Sequence, residues 1–192
     1  MFFATLLALA SPQCSETSIP PHLPGSDRVG TAVALDGDLA LITETDTGGG
    51  FIAPDHVVVH ERIGGVWAPT SSLPRPASFG GNDRFGSGVV LSGDTAAVLH
   101  DRPSGQTDVV VYRRLMGAWQ IEGTLVPLPG QVLNGLALDG DRLAVGSRTA
   151  DGLVGVVFVY ERTGSSWTLD EAVSPATVPT VSFLGFGQSI DL

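Results

Sequence analysis

The chain has 192 residues, 43% hydrophobic and 16% charged, a balance that supports a packed core and argues against disorder beyond the first two dozen positions. Twenty acidic residues against ten basic ones, every basic residue an arginine, leave a formal charge of −10; this repels phosphate backbones and anionic lipid heads, and argues against nucleic acid and membrane surfaces as partners. The 25 glycines and 13 prolines, set among many valines and leucines, predict short strands joined by tight turns, hence an all-β chain.

Met1 to Ala10 (MFFATLLALA) is wholly apolar, too short to span a bilayer and of the right length for the core of an export signal. Ala8 and Ala10 fit a small-x-small cleavage pattern, so residues 1–15 are expected to be a signal segment and the protein secreted or held at the cell surface. No basic residue precedes Arg28, which leaves two readings open: a start further upstream, or an ordinary strand. Cys14 is the single cysteine and excludes an intramolecular disulfide. Ser11, Pro12 and Gln13 before it do not suit lipid attachment, because a small residue is needed where Gln13 stands; an unmodified thiol is the expectation.

From Gly25 onward the chain repeats. Three segments read HVVVHERIGGVW (His56 to Trp67), DVVVYRRLMGAW (Asp108 to Trp119) and VVFVYERTGSSW (Val156 to Trp167). Each carries an arginine five residues before its tryptophan, and the tryptophans recur about fifty residues apart, a spacing that marks repeat architectures. A second piece lies upstream of each: VGTAVALDGDLALI from Val29, FGSGVVLSGDTAAVL from Phe85 and VLNGLALDGDRLAVG from Val132. A further copy starts with FGQSIDL at Phe186.

Each unit is predicted to form four short strands. Asp36-Gly37, Ser92-Gly93 and Asp139-Gly140 lie between apolar runs and predict a first hairpin. The valine-rich run makes the third strand. Ile63-Gly64-Gly65, Met116-Gly117 and Thr163-Gly164 supply the next turn, and the fourth strand runs from the tryptophan to Leu73, Leu125 or Val173. Such a meander cannot bury both faces alone, so copies must stack; stacked radially they form a propeller. Trp67, Trp119 and Trp167 are then packing residues between units and not a platform for sugars or bases.

The Phe-Gly opening, the Ser-Gly-Asp turn, the valine strand ending in Tyr and Arg, and the tryptophan together resemble the FG-GAP repeats of integrin-alpha-type propellers, in the form found in secreted bacterial proteins. The resemblance covers about Gly25 to Leu192. It implies an incomplete β-propeller: three four-stranded antiparallel blades (approximately 25–77, 80–129 and 130–178) and the first strand of a fourth from 181 to 192, the whole occupying 16–192. Phe-Gly stands at Phe85-Gly86 and Phe186-Gly187, becomes Val29-Gly30 in the first copy and is lost at Val132-Leu133; the nearest remnant of Gly-Ala-Pro is Gly146-Ser147. Family propellers usually have about seven blades, so a longer protein is expected. Ile19 to Gly25 parallels Leu125 to Gly130, as though the chain enters on the last strand of a split blade.

Side chains for chemistry are sparse. Calcium in some family members sits in an Asp-x-Asp-x-Asp-Gly loop; the corresponding stretches, Thr43 to Gly50, His100 to Asp108 and Ser147 to Gly152, lack that spacing, with Glu44 and Asp46 the closest pair and Asp101 alone. No cofactor and no metal ligand set is expected. His56 and His60 share a strand face but lie about 13 Å apart in extended chain; these two, with His22 and His100, are expected at the surface or at edges. Ser87, between Gly86 and Gly88, follows the repeat and forms no nucleophile elbow. Glu61 with Arg62 and Glu161 with Arg162 read as surface ion pairs, worth ~0 to 1 kcal/mol. No catalytic residue is assigned, and the expected function is non-catalytic binding of protein or carbohydrate, with self-association or further blades as other partners. The loop from 43 to 56 and the connection from Arg75 to Arg84 are the most distinctive. The alternative readings are an accessory propeller of a larger exported enzyme and a calcium-binding adhesion module.

Overall fold

A computed structural model describes residues 28–45, 56–80, 83–126, 131–148, 154–175 and 185–192. Cys14, His22, Asp46 and the expected signal segment lie outside them. The described residues are all-β, with twelve strands in three antiparallel four-stranded sheets and no helix. The first sheet holds β1 (Arg28–Asp36), β2 (Leu39–Thr45), β3 (His56–Ile63) and β4 (Val66–Ser72). The second holds β5 (Arg84–Ser92), β6 (Thr95–Asp101), β7 (Thr107–Leu115) and β8 (Ala118–Leu125), and the third β9 (Leu133–Asp139), β10 (Arg142–Ser147), β11 (Val156–Thr163) and β12 (Ser166–Val173). Strands are joined in sequence order, as a meander read from turn signals predicts.

The first hairpins close on Asp36 opposite Leu39, Ser92 opposite Thr95 and Asp139 opposite Arg142. The two turn residues are therefore Gly-Asp, one position later than the Asp-Gly reading. Gly93, at φ +54°, shows why: a hairpin turn with positive φ at its first central residue follows the strand twist, and glycine adopts it without strain.

The middle sheet buries both faces, with side chains alternating at period two. Ala96, Val98, Val110 and Tyr112 pack against Leu41, Val57 and Val59 of the first sheet. Ala97, Leu99, Val109 and Val111 pack against Leu133, Leu143 and Val145 of the third. The central strands thus read as continuous apolar runs, as doubly covered strands do. Trp119 lies in the first interface and Trp167 against the second. Each tryptophan pairs across its hairpin with the repeated arginine, Arg62, Arg114 or Arg162, so their recurrence reflects a shared packing place.

Phe186 to Leu192 is not in a strand; it makes a turn at Phe186-Gly187, whereas the repeat predicts an opening strand. A first strand exists by bonding to a second, and no described residue takes that role. The segment packs on the third sheet: Phe186 and Ile190 cover Ala137, Ala144, Val157 and Val159 on its far face.

Two further expectations fail. His60 and His100 are fully buried, not at the surface; β3 and β6 are inner strands of their sheets. Glu61 does not pair with Arg62, nor Glu161 with Arg162: neighbours on a strand point to opposite faces. Arg62 binds Asp38 at 2.7 Å, and Glu61 reaches across to Arg114 of the second sheet at 2.6 Å. Arg162 binds Asp141 and, across the second interface, Glu122, while Glu161 meets Arg142 at 3.3 Å.

Candidate functional site

One end of every sheet carries the two tight turns. The other carries the start of the first strand, the loop between the second and third strands, and the exit of the fourth. At this loop end of the second sheet the sequence buries charge. His100, the penultimate residue of β6, stands opposite Asp108 of β7, and both side chains are inaccessible to water.

Three side chains contact the imidazole, and a fourth backs one of them. His100 Nε2 is 2.9 Å from Asp83 Oδ2, and Nδ1 is 3.6 Å from Asp108 Oδ2. Phe79 stacks on the ring with centroids 3.4 Å apart and planes 7° from parallel, and the Arg102 guanidinium lies 6.0 Å from the Phe79 ring on which it rests. Asp108 is already satisfied: it accepts from Arg102 Nε at 2.7 Å and from Gln106 Nε2 at 2.8 Å. Asp83 Oδ2 also accepts the Gly80 N–H at 2.9 Å. Its remaining strong donor is His100 Nε2–H, which leaves Nδ1 bare and the ring neutral.

Burial pushes the His100 pKa below its ordinary value of 6.5, against the pull of the Asp83 hydrogen bond and the two carboxylate charges; Arg102 adds to the lowering. A charged imidazole here would gain only a long contact to an Asp108 whose charge Arg102 already neutralises. The histidine is therefore poised as a fixed neutral donor, with Phe79 stacked on its ring and Asp83 held by its Nε2.

Beside this network, between the second and third sheets, lies a cavity of about 260 Å³. Its walls include Leu99, Leu133, Asp101, Arg102, Ser87 and Asn134. Asp101, isolated in the sequence, accepts the Thr107 hydroxyl at 2.9 Å. Ser87 Oγ and Asn134 Oδ1 are buried without a partner in the protein. They occupy one repeat position, the residue just before the second glycine place of FGSG and VLNG, filled by Thr31 in the first copy and Gln188 in the last.

Other expected residues do not converge. Glu44, fully buried, lies opposite His56 across β2 and β3. Among the described residues no group of three or more His, Cys, Asp or Glu could hold a metal ion. The Arg75 to Arg84 connection proves to be part of the site, since it supplies Phe79 and Asp83. The sequence reading missed His100 as a site residue. Superposing the repeats would have found it: the same cross-strand place holds Glu44 and His56, then His100 and Asp108, then Ser147 and Val156, so each copy puts at least one polar residue in a run that is otherwise apolar. Compared with known proteins, the chain matches no family model and no curated relative.

Proposed function

We propose that the chain is part of a β-propeller of FG-GAP-like repeats, exported from the cell, that works as a non-catalytic binding or scaffolding module. The packing of the first strands supports the propeller reading: β5 lies against β1 on one side and β9 on the other, as radial stacking about a common axis requires. The observation that carries the function is the division between ends. The turn end repeats the same contacts from sheet to sheet, while the loop end holds the buried His100 network and a cavity between the second and third sheets that differ from copy to copy, in keeping with scaffolds that place recognition on variable loops.

The test is binding by the chain to arrayed extracellular proteins and glycans, measured beside Arg102→Ala at the loop end and Arg62→Ala at the turn end. Binding weakened at least tenfold by the first and unchanged by the second is expected. Binding lost with the turn-end variant, or consumption of the bound partner, overturns the reading.

A further inference from the structure

The geometry points to a site for a neutral, hydroxyl-rich ligand of single sugar-ring size in the cavity between the second and third sheets; this rests on the reading of the chain as a binding module. Size comes first. Cavities for drug-sized ligands hold about 300–1,000 Å³, and this one, at about 260 Å³, suits one ring.

Polarity narrows the chemistry. Ser87 Oγ and Asn134 Oδ1 have no partner, and a buried polar atom left unmatched is costly. Asp101 uses one oxygen for Thr107 and keeps the other as an acceptor. These atoms ask for donors, and ligand hydroxyls are donors. Both residues line the cavity, and both unmatched atoms are closed to bulk water. Leu99, Val132 and Leu133 supply apolar wall for the C–H faces of a ring.

Charge narrows it further. The cation at the wall, Arg102, is held by Asp108 at 2.6 Å, and Asp101 would repel an anion, so phosphates and carboxylates gain little. Nor is there a carboxylate or imidazole set for a hard cation among the described residues. The two unmatched atoms also come from neighbouring first strands, so the site exists only where two sheets meet.

Saturation-transfer NMR on the chain with free glucose, galactose, mannose and N-acetylglucosamine, beside glucuronate and inorganic phosphate, tests this. At least one neutral sugar is expected to give signal, with Ser87→Ala and Asn134→Leu each weakening it at least tenfold and neither lowering the melting temperature. If Asn134→Leu does lower it, Ser87→Ala alone carries the test. No signal from any neutral sugar, equal signal from glucuronate or phosphate, or undiminished binding by Ser87→Ala overturns the site. Loop-end binding to an arrayed protein that persists without sugar signal sinks this inference alone; loss of both sinks the module reading too.

Discussion

At the turn end of the sheets one set of contacts recurs, whereas at the loop end no two sheets bury the same side chains. The Gly93 N–H donates to Asp36 Oδ2 at 2.6 Å and the Gly140 N–H to Ser92 Oγ at 3.0 Å, so each first hairpin is latched to the one before it. The backbone N–H groups of Arg62, Arg114 and Arg162 donate to Asp38, Asp94 and Asp141 carbonyls at 2.8, 2.8 and 2.9 Å. Loop-end places equivalent to His100 and Asp108 hold Glu44 and His56 in the first sheet and Ser147 and Val156 in the third. Repetition at one end fixes how sheets meet, which leaves the other end free to diverge without losing the stack.

The largest effect is expected where the loop end touches the stack. Gly86 sits at φ +91°, and a Cβ there would come within 2.8 Å of both Thr43 Oγ1 and Val57 Cγ2. Thr43 Oγ1 also donates to the Gly86 carbonyl at 2.8 Å, pinning the backbone in place. Gly86→Val should cost about 3 kcal/mol, from backbone strain and overpacking together, read from the denaturant midpoint. A loss under about 1 kcal/mol would mean that the Phe-Gly bulge is not what seats the second sheet on the first. The third sheet is the natural control: Leu133 replaces this glycine and fills the space with side chain beside Leu99 and Val109, and its strand skips one residue, Asn134, in register where β5 skips three.

Next comes the buried network. Asp108→Ala strips Arg102 and Gln106 of their acceptor and should cost about 2–4 kcal/mol. The corresponding turn-end change, Asp38→Ala, removes an ion pair whose members are 48% and 67% exposed, and should cost ~0–1 kcal/mol. Equal losses would erase the distinction between the ends.

How far the sequence carries depends on what each feature needs. Strand number, hairpin positions and the equivalence of the tryptophans were legible because they follow from local rules, turn chemistry and period-two burial, repeated three times. The His100 environment was not. Asp83 lies in a connection without regular pattern, and Phe79 reaches the ring only after that connection folds back. The burial of His60 escaped for a related reason: parity along one strand tells which residues share a face, but not whether that face is covered. The loss of Phe-Gly at Val132-Leu133 looked like decay of the motif and is instead a second way to fill the same contact. The remnant Gly146 is needed because a side chain there would overlap the Gly187 carbonyl.

A smaller effect separates the ends by pH. Because burial holds the His100 pKa below 6.5, the folded state binds this proton less readily than the unfolded one. The contribution is complete above about pH 6.5 and is lost as the pH falls from there toward the depressed folded value. The groups facing the ring are Asp83, Asp108 and, through Asp108, Arg102. Melting temperature should therefore fall between pH 7.5 and pH 5.5, and His100→Gln should flatten that fall; a slope as steep in the variant would assign it to other groups.

The smallest effect tests the turn end itself. Met116, at φ +51°, is the one non-glycine among the described residues with positive φ, and its side chain is fully exposed. Its counterpart in the first sheet is Gly64, at φ +59°. A left-handed conformation costs a residue with a Cβ about 1 kcal/mol, and no contact of the exposed side chain offsets it. Met116→Gly should stabilise by roughly 0.5–1 kcal/mol, less what glycine adds to unfolded-state entropy, while leaving loop-end binding untouched. If the variant is instead destabilised, the Met116 side chain is packed against something, and the turn end is more than a set of repeated hydrogen bonds.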